Sequence, residues 1–403
     1  MGWKVKDVQE QRFRFIEEYE REGESLSALC QSHGISRPTA YKWLARYEDE
    51  GLDGLQDRSR APRHPARAMP EGVRELILAV KAQHGFWGAR KIVAHLRNNS
   101  PGQVWPAVSS VGELLKQRGL TIARKRRQPA ERAQHPLAHA DEANRVWSVD
   151  FKGWFRTGDG QRCDPLTLTD NYSRYLLRCQ AVGAETTVNV KPVLEAAFRE
   201  YGLPERIRSD NGAPFASNGS SGLTALSVWW IRLGIVPERI KPGCPQQNGR
   251  HERMHLTLQQ ETADPPAATR RKQQQRFDAF RHEYNQERPH EALQQKPPAQ
   301  FFRVSPRPYP ARLRQLEYPS QWQVRRVCSG GKFRHAGQLT FVSHALVGEF
   351  IGLEPLDDRY SRIWFGGCQL GVLDRTNARI FSPTEWQRRL ARQDRQTAPR
   401  DQS

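Results

Sequence analysis

Val-Trp-Ser-Val-Asp-Phe-Lys-Gly, residues 146–153, is the stretch that decides the fold we expect. Its apolar run, 146–149, is typical of a strand buried on both faces, and Asp150 closes that run. An ionised carboxylate in a low-dielectric interior is costly unless it has a partner. The stretch therefore predicts a core strand that carries a functional acid at its end.

Two further carboxylates lie in settings that suit the same site. Asp210 follows a strand-like run and is stopped by Asn-Gly, a turn signal that leaves its side chain at a strand tip. Glu252 follows a loop rich in Pro and Gly, 241–249, and begins a segment with a helical pattern. Two strand ends and a helix start converge if these elements pack together. We therefore expect Asp150, Asp210 and Glu252 to form one metal site, because hard divalent cations prefer oxygen ligands.

Three converging carboxylates suit phosphodiester chemistry. Two divalent cations about 4 Å apart can activate an attacking hydroxyl and stabilise the leaving oxygen during in-line displacement. Three carboxylates suffice to hold both ions. The expected cofactor is accordingly Mg²⁺ or Mn²⁺, with two ions per active site.

Four motifs together resemble a known family. They are Trp-Ser-Val-Asp-Phe-Lys-Gly, Asp-Asn-Gly, Pro-Gln-Gln-Asn-Gly-Arg-His-Glu-Arg and, downstream, Tyr-Asn-Gln-Glu-Arg-Pro-His-Glu-Ala-Leu. This set resembles the catalytic core of DDE transposases of bacterial insertion sequences, in the retroviral-integrase superfamily. The resemblance is strong over roughly the middle third of the chain, and in the flanks it rests on arrangement alone.

The resemblance implies an RNase-H-like (integrase) mixed β-sheet core over 143–304. It implies that Asp150 lies on the first strand, Asp210 after the fourth and Glu252 on a following helix, as catalytic residues and metal ligands. The gap from Asp150 to Asp210 is 60 residues, and that from Asp210 to Glu252 is 42. The second gap is longer than is usual in the family, and 217–222 has the composition of a loop that absorbs the excess.

One position departs from the family pattern. Many relatives carry a basic residue seven positions after the glutamate, on the same helical face, where it can meet DNA near the active site. This chain has Gln259 there, although Arg250, Arg253 and His255 stay close by. The departure predicts a weakened contact with the DNA end and does not exclude one.

Charge and cysteine usage describe the whole chain. Its 403 residues suffice for two to four domains, and a net charge of +19 favours a polyanionic partner over the alternative of a merely soluble basic protein. Six scattered cysteines without a Cys-x-x-Cys pair argue against a zinc finger and a disulfide framework, and fit a reducing cytoplasm. With neither a signal core nor an apolar run long enough to span a membrane, we expect a cytoplasmic, nucleoid-associated bacterial protein with no membrane partner.

Residues 1–56 have the pattern of a helix-turn-helix domain. Helices are predicted over 7–22 and 25–33, and Ser36 can cap a third helix whose apolar positions share one face. That third helix would enter a major groove, and the alternative is an ordinary three-helix bundle with a solvated basic face. Its candidate DNA contacts are Arg37, Thr39, Lys42 and Arg46.

A linker, 57–69, and a second helix-turn-helix-like DNA-binding domain, 70–123, follow. Within the second domain, Ser110 and Glu113 form a capping-box pattern. The segment 124–142 is a basic linker, which is either merely solvated or tracks a phosphate backbone. Its candidate DNA contacts are Arg124, Lys125, Arg126 and Arg127.

Within the core, further strands are predicted over 165–169 and 175–181, and helices over 188–201 and 223–233. Trp229 and Trp230 are favoured as core residues rather than a base-stacking platform. The loop before Glu252 and the start of its helix supply candidate DNA contacts. These are Gln246, Gln247, Asn248, Arg250 and Arg253. The downstream motif supplies residues expected to be structural or DNA-proximal, namely Tyr284, Asn285, Arg288 and His290.

The carboxyl-terminal third changes to short strand-like runs. Over 315–385 these predict a small β-barrel that binds DNA non-specifically, as such enzymes commonly have. The polar tail, 386–403, is predicted to be disordered.

The sequence thus predicts a multidomain α and α/β protein with the function of a DNA transposase. It would bind the terminal inverted repeats of its insertion sequence, cleave 3′ ends and transfer them into target DNA. Its partners would be double-stranded DNA, both transposon ends and target, and further copies of itself on paired ends, as the resemblance implies. The alternatives are a DNA-binding regulator derived from a transposase without catalysis, and an RNase-H-type nuclease.

Overall fold

The computed structural model describes residues 8–21, 23–58, 69–121, 137–217, 222–240, 249–313 and 315–397, with side chains to 392. The chain divides into two compact units, Met1–Pro70 and Glu71–Ser403. None of the described helices is long and apolar enough to cross a bilayer. The predictions for Arg124, Lys125, Arg126, Arg127, Gln246, Gln247 and Asn248 lie outside the described residues.

The described α-helices, in chain order, are α1 Val8–Glu20, α2 Leu26–Ser32, α3 Arg37–Glu50, α4 Glu71–Gln83, α5 Ala89–Asn99, α6 Val108–Gln117, α7 Thr187–Tyr201, α8 Ala225–Arg232, α9 Gly249–Leu258, α10 Arg270–Gln286 and α11 Pro383–Thr397. The strands are β1 Val146–Phe151, β2 Phe155–Arg156, β3 Arg162–Asp170, β4 Leu176–Val182, β5 Arg206–Ser209, β6 Val236–Arg239, β7 Gln323–Arg326, β8 Lys332–His335, β9 Gln338–Phe341, β10 Phe350–Pro355, β11 Tyr360–Phe365, β12 Cys368–Asp374 and β13 Arg379–Phe381.

The amino-terminal unit has the three helices that its caps predict. Ser25 accepts a hydrogen bond from the Ala28 amide and Ser36 accepts one from the Thr39 amide, so both side chains satisfy amides that a helix start leaves unpaired. Trp43 is buried at the centre of this unit's apolar core. The Arg12 guanidinium lies 3.8 Å from the centre of the Trp43 ring. The predicted helices are confirmed.

Helices α4 to α6 depart from the sequence prediction in detail. The apolar residues of α4 are only partly buried, since Ile77 is buried and Leu76 is 48% exposed. The capping-box prediction at Ser110 and Glu113 is wrong. Helix α6 begins two residues before Ser110, after Ala107, whose backbone is extended and whose side chain offers no capping oxygen. Apolar packing of the helix, rather than a polar cap, decides this start.

A mixed β-sheet is the centre of the second unit. Its strand order is β2-β3-β1-β5-β6, and β4 also pairs with β3. The β1-β3 and β3-β4 pairs are antiparallel, whereas the β1-β5 and β5-β6 pairs are parallel. The predicted strands β1, β3, β4 and β5 are confirmed, and β5 is the fourth if the two-residue β2 is set aside.

Both faces of this sheet are covered by helices. On one face Trp147 and Leu168 pack with residues of α7 and α8, including Trp229 and Trp230, which are core residues as predicted. On the other face Met254 and Leu258 of α9 pack with β3, β4 and α10. Because side chains alternate between the faces of a strand, Asp150 is on the opposite face of β1 from Trp147, the face that α9 covers.

The predicted carboxyl-terminal barrel is not confirmed. Over the described residues the strands form an open five-stranded sheet with the order β13-β12-β11-β10-β7, and β8 and β9 form a separate hairpin. The apolar face of this sheet packs against Val228 and Ile231 of α8. Since a helix of the core covers that face, the sheet does not need to close on itself to bury it.

The predicted disordered tail is corrected as far as 397. Helix α11 begins after Ser382, whose amide donates to Glu385 and whose hydroxyl accepts from the Glu385 amide. Trp386 packs against Tyr360 and Phe381. A reciprocal cap and one packed aromatic ring therefore order a segment of polar composition.

Candidate active site

Asp150 and Asp210 lie at the same edge of the central sheet. Strand β1 pairs in parallel with β5, with Ser148 opposite Arg208, so continuing the register brings 150 level with 210. Asp150 is the last residue but one of β1, and Asp210 immediately follows β5. Both residues are half-buried. Parallel pairing thus supplies the first two carboxylates of the site.

The immediate surroundings of Asp210 leave its carboxylate unsatisfied. The Oδ1 atom is buried and accepts no hydrogen bond from the described residues. Gly212 lies so close that a methyl group in place of its hydrogen would be 2.9 Å from Asp210 Oδ2. Glycine at 212 therefore leaves room for the Asp210 carboxylate in the position that it has here.

Glu252 lies in the first turn of α9 and is exposed. The first turn of a helix favours acidic side chains, because unpaired amides give that end a partial positive charge. Two other residues of this helix, His251 and His255, are buried in the protein instead. Glu252 is thereby held at the mouth of the site, while its neighbours anchor the helix.

The electrostatics of Asp150 show that the three carboxylates are close enough to interact. Burial raises the pKa of Asp150 to about 7, and the negative charges of Asp210 and then Glu252 and Glu185 act in the same direction. Repulsion of this kind favours a bound cation when all the acids are ionised. The structure brings the residues predicted to form one site together. Glu185, which was not predicted, also lies close enough for its charge to act on Asp150.

Two buried histidines extend the site below Glu252. A carboxylate oxygen of Asp150 and one ring nitrogen each of His251 and His255 lie within 4.8 Å of one another. Both rings also contact Thr167, at 2.6 and 2.7 Å from its hydroxyl. Sequence reasoning missed this pair, although two histidines four positions apart on a helix share one face and flank Glu252.

Comparisons with known proteins point to one family. Two family models, both described as an integrase core domain, match residues 140–245 and 233–298. A helix-turn-helix domain model matches 11–63, and a homeodomain-like domain model matches 39–115. An uncharacterized 39.2 kDa protein of insertion element IS476 from Xanthomonas euvesicatoria is 30% identical over 285 residues, which are 69% of this chain and 78% of that protein. The chain belongs to the DDE transposases of the integrase superfamily.

Two further relatives of this transposase match smaller parts. An uncharacterized 31.7 kDa protein of insertion element IS407 from Burkholderia multivorans is 28% identical over 47% of this chain, which spans 66% of that protein. The transposase for transposon Tn552 from Staphylococcus aureus is 23% identical over 62% of this chain and 55% of its own length.

The solved structures that resemble the transposase do so with low TM-scores. The HTLV-2 integrase catalytic core domain in complex with magnesium is 16% identical, covers 40% of this chain and 98% of its own, and has a TM-score of 0.32. The simian T-cell lymphotropic virus intasome in complex with PP2A regulatory subunit B56 gamma is 17% identical, covers 76% and 99%, and has a TM-score of 0.35. At these scores the likeness carries no conclusion about chemistry or assembly.

Replacing Gly212 with alanine is expected to slow the transposase without unfolding it. The added methyl group meets the end of the Asp210 side chain, so the carboxylate moves while the backbone stays. A displacement of about 1 Å in a reacting group can cost about 100-fold in rate. The measurement is the rate of strand transfer, with the melting temperature as a check on folding. Gly102→Ala is the matched control, because a methyl group there meets nothing within 4 Å. Full activity of Gly212→Ala would contradict the expectation.

The candidate DNA contacts at the start of α9 are Arg250 and Arg253. Both arginines are exposed, and Arg250 donates from Nη1 to the Asn171 carbonyl at 3.1 Å. The nearby Arg174 is half-buried, and burial lowers its pKa to about 10, with the charges of Arg250 and Arg253 acting in the same direction. Arg250 therefore contacts the β3-β4 turn, and the charge of Arg253 acts on the same turn.

The candidate contacts on α3 are partly engaged within their own unit. Arg37 donates to the Ser27 hydroxyl at 2.6 Å, and the Thr39 hydroxyl bonds with that of Ser36 at 2.9 Å. The Lys42 ammonium and the Arg46 guanidinium lie over the Trp43 ring, at 5.2 and 4.9 Å from its centre.

Sequence reasoning missed one exposed residue of the same helix. Tyr41 is 61% exposed, beside the exposed Lys42. Tyr41 therefore adds to the exposed face of α3 that carries Lys42. The signal for it was available, because Tyr41 falls outside the apolar stripe that the spacing of α3 defines.

The downstream motif, which begins in the last turn of α10, makes structural contacts in the described residues. Asn285 accepts a hydrogen bond from the Leu176 amide at 2.8 Å and donates to its carbonyl at 3.0 Å, which fastens α10 to β4. Arg288 pairs with Glu261 at 2.6 Å, and both side chains are largely buried. The pair joins the chain just after α10 to the turn that follows the helix of Glu252.

Helices α4 and α5 pack on the same segment. His84 Nδ1 lies 2.9 Å from Glu283, and its ring stacks on Trp87 with 3.8 Å between ring centres. Arg90 pairs with Glu291 at 3.0 Å. The transposase thus has its second helical region docked against α10, which packs on the helix that carries Glu252.

Proposed function

We propose that the protein is a DNA transposase that binds the terminal inverted repeats of its insertion sequence and catalyses 3′-end cleavage and strand transfer into target DNA. The observation that carries the proposal is that Asp150 and Asp210 lie at the ends of neighbouring parallel strands, where the charges of Asp210 and of Glu252 on α9 both act on Asp150. Membership in the DDE transposases supports polynucleotidyl transfer as the reaction class. It also supports DNA transposition or integration as the process.

The three acids fit two divalent cations. Asp210 Oδ1 is buried and lacks a hydrogen-bond donor in the described structure. The raised pKa of Asp150 reflects its burial first and then the charges of the other acids. An oxygen-only set of this kind suits Mg²⁺ or Mn²⁺. Bound there, two such ions would lower the pKa of the attacking hydroxyl and stabilise the leaving oxygen. Asp150, Asp210 and Glu252 would hold them.

Two displacements at phosphorus make up the proposed reaction. In the first, a water oxygen bonds to phosphorus at the transposon end and the 3′ oxygen leaves as a hydroxyl. In the second, that 3′ oxygen attacks a phosphorus of target DNA and displaces another 3′ oxygen. Asp150 is central to both, because its ionised form is opposed by burial and by the charges of its neighbours. No covalent link between protein and DNA is needed.

Recognition of the ends is assigned to the amino-terminal helices. Helix α3 follows α2 through the turn at Gly34, the arrangement in which the second helix of a helix-turn-helix enters the major groove. The net charge of +19 supports contacts to phosphate irrespective of sequence. We further propose that several copies assemble on paired ends, since both ends of an element must be joined to one target.

One experiment distinguishes a transposase from an RNase-H-type nuclease and from a regulator without catalysis. Purified protein is incubated with Mn²⁺ and either a labelled duplex that bears the element's end together with target DNA, or a labelled RNA-DNA hybrid. A transposase joins the first substrate to the target and leaves the hybrid intact. An RNase-H-type nuclease degrades the hybrid, and a regulator without catalysis binds the end and changes neither substrate.

Replacing Lys42 with alanine is expected to weaken binding of the element's end by about 10-fold, since a contact to a base edge contributes about 1 to 3 kcal/mol. Lys42 is exposed on α3 and lies within one helical turn of Thr39 and Arg46, on the proposed recognition face. The measurement is a binding titration at fixed salt with end duplex and with scrambled duplex.

The control for this substitution is Arg21→Ala. It also removes one positive charge, but Arg21 is exposed at the end of α1 and pairs with Glu17. Arg21→Ala should bind the end duplex like wild type. Equal losses of Lys42→Ala on the two duplexes would assign Lys42 to phosphate rather than to a base. Unchanged affinity for both would remove Lys42 from the recognition face.

A further inference from the structure

One hydroxyl group connects the strand of Asp150 with the helix of Glu252. Thr167 of β3 lies directly opposite Asp150 in the β1-β3 pair, and its Oγ1 is 3.1 Å from the Asp150 main-chain oxygen. The same Oγ1 is 2.6 Å from His251 Nε2 and 2.7 Å from His255 Nε2. His251 Nδ1 is 3.1 Å from the Thr169 hydroxyl. We refer to these four side chains, Thr167, Thr169, His251 and His255, as the threonine-histidine cluster.

Counting hydrogens fixes the direction of every bond in the cluster. A threonine hydroxyl has one proton to donate and two lone pairs to accept with. The Asp150 carbonyl can only accept, so Thr167 donates to it. Both imidazoles must then donate from Nε2 to Thr167, and His251 Nδ1 is left to accept from Thr169. Every polar atom of the cluster that these contacts involve is satisfied by this single arrangement.

Burial agrees with that arrangement. His251 is 2% exposed, His255 is 6% exposed, and Thr167 is fully buried. Burial of both rings favours their neutral form, since a charged ring in this interior would have no solvent around it. A neutral ring carries one N–H, which matches one donated bond from each Nε2.

The cluster also argues against a simpler reading of the two histidines as metal ligands. One ring nitrogen of each and an oxygen of Asp150 are near enough to suggest one. However, a metal bound at Nε2 needs the lone pair of that nitrogen, and in the arrangement above each Nε2 carries its proton and bonds to Thr167.

We propose that Thr167, His251 and His255 are positioning residues that fix the distance between the Asp150 and Glu252 carboxylates, and so set the affinity of the site for divalent cations. His251 and His255 precede and follow Glu252 by one and three positions, so they clamp that turn of α9. Thr167 ties both rings to the backbone of Asp150 itself. The proposal rests on the proposed metal-dependent transposase function.

The first test compares three variants of the full chain. Thr167→Val keeps the shape but leaves two ring N–H groups and the Asp150 carbonyl without the hydroxyl, and Thr167→Ser keeps the hydroxyl. Thr257→Val is the matched control, since its hydroxyl bonds to the Arg253 carbonyl of its own helix. Mn²⁺ affinity is measured from the rise in melting temperature on titration with Mn²⁺, and strand transfer is measured at saturating Mn²⁺.

The expected result is a 10- to 100-fold loss of Mn²⁺ affinity in Thr167→Val, roughly the scale for partners that orient metal ligands. Thr167→Ser and Thr257→Val should bind Mn²⁺ like wild type. Strand transfer by Thr167→Val should recover in large part at saturating Mn²⁺. Equal affinity in Thr167→Val and wild type would overturn the proposal, and so would equal losses in the serine and valine variants.

The second test reads the cluster without activity or metal. Long-range ¹H–¹⁵N spectra of wild type, assigned with His251→Gln and His255→Gln, report which nitrogen of each ring is protonated. Two neutral rings protonated at Nε2 support the cluster, and a proton on Nδ1 of His251 overturns it. If Mn²⁺ binds and the spectra agree but no DNA is joined, the proposed function fails while the cluster stands.

Discussion

Replacing Glu252 with glutamine is expected to abolish strand transfer while binding of the element's end survives. Glu252 is exposed in the first turn of α9, so its replacement by a side chain of nearly the same size leaves the fold intact. The amide, however, has no charge to offer a cation. A loss of at least about 1000-fold is expected, at the upper end of what removal of one electrostatic group in a catalytic site costs.

The measurement is joining of a labelled end duplex to target DNA with Mn²⁺, beside a binding titration of the same duplex. Glu317→Gln, at an exposed position outside the core, is the control and should match wild type. If Glu252→Gln joins ends as fast as wild type, Glu252 is not the third ligand and the assignment of the site is wrong. If wild type and Glu252→Gln both bind the end duplex and neither joins it to target DNA, the regulator without catalysis becomes the better description.

Replacing Asp150 with asparagine is expected to stabilise the metal-free core while removing catalysis. Burial and the charges of Asp210 and Glu252 raise the pKa of Asp150 from 3.8 to about 7. One pKa unit corresponds to about 1.4 kcal/mol, so ionised Asp150 disfavours the folded state by something on the order of 4 kcal/mol. Asparagine carries no charge to desolvate and removes most of this cost.

The effect has a definite pH dependence. Folded Asp150 holds its proton more tightly than the unfolded chain does, so its contribution to stability is fully present below pH 3.8 and is lost as pH rises to about 7. The free energy of unfolding of Asp150→Asn minus that of wild type, from urea titrations without metal, should therefore grow between those limits. Asp358→Asn, at an exposed turn, should show no such growth. A difference that stays flat with pH would show that Asp150 is not held against its neighbours' charge.

Local signals in the sequence predicted much of the fold. Ser25 and Ser36 mark helix starts because the cap is made by the adjacent amides, and Gly202 ends α7 with a positive φ that glycine tolerates. The barrel is not confirmed and the disordered tail is corrected as far as 397 for a different reason. Their outcome depends on α8 covering a sheet and on Trp386 meeting Tyr360, and both contacts join residues far apart in sequence.

The residues of the candidate site also divide into those that local sequence signals predict and those whose roles depend on contacts between distant parts of the chain. Asp150 and Asp210 were predicted to converge because both follow strand patterns, and parallel strands end at one edge. Glu185 was missed, since it lies in a connection whose path depends on how β4 and α7 pack. The two histidines of α9 could have been found from their helical spacing around Glu252. Thr167 could not, because its role depends on the register of β1 with β3.

The helix that carries Glu252 does not end in ordinary geometry: a π-helical turn, Gln259–Ala263, follows Leu258. Such a turn bonds each amide five residues back, so it holds one residue more than an α-helical turn. Glu261, inside this turn, reaches Arg288. Beyond Leu258, positions counted from the glutamate no longer fall on the faces that a regular helix would give them. Gln259, seven positions after Glu252, is the first residue of this turn, so the face on which it lies does not follow from the spacing of a regular helix.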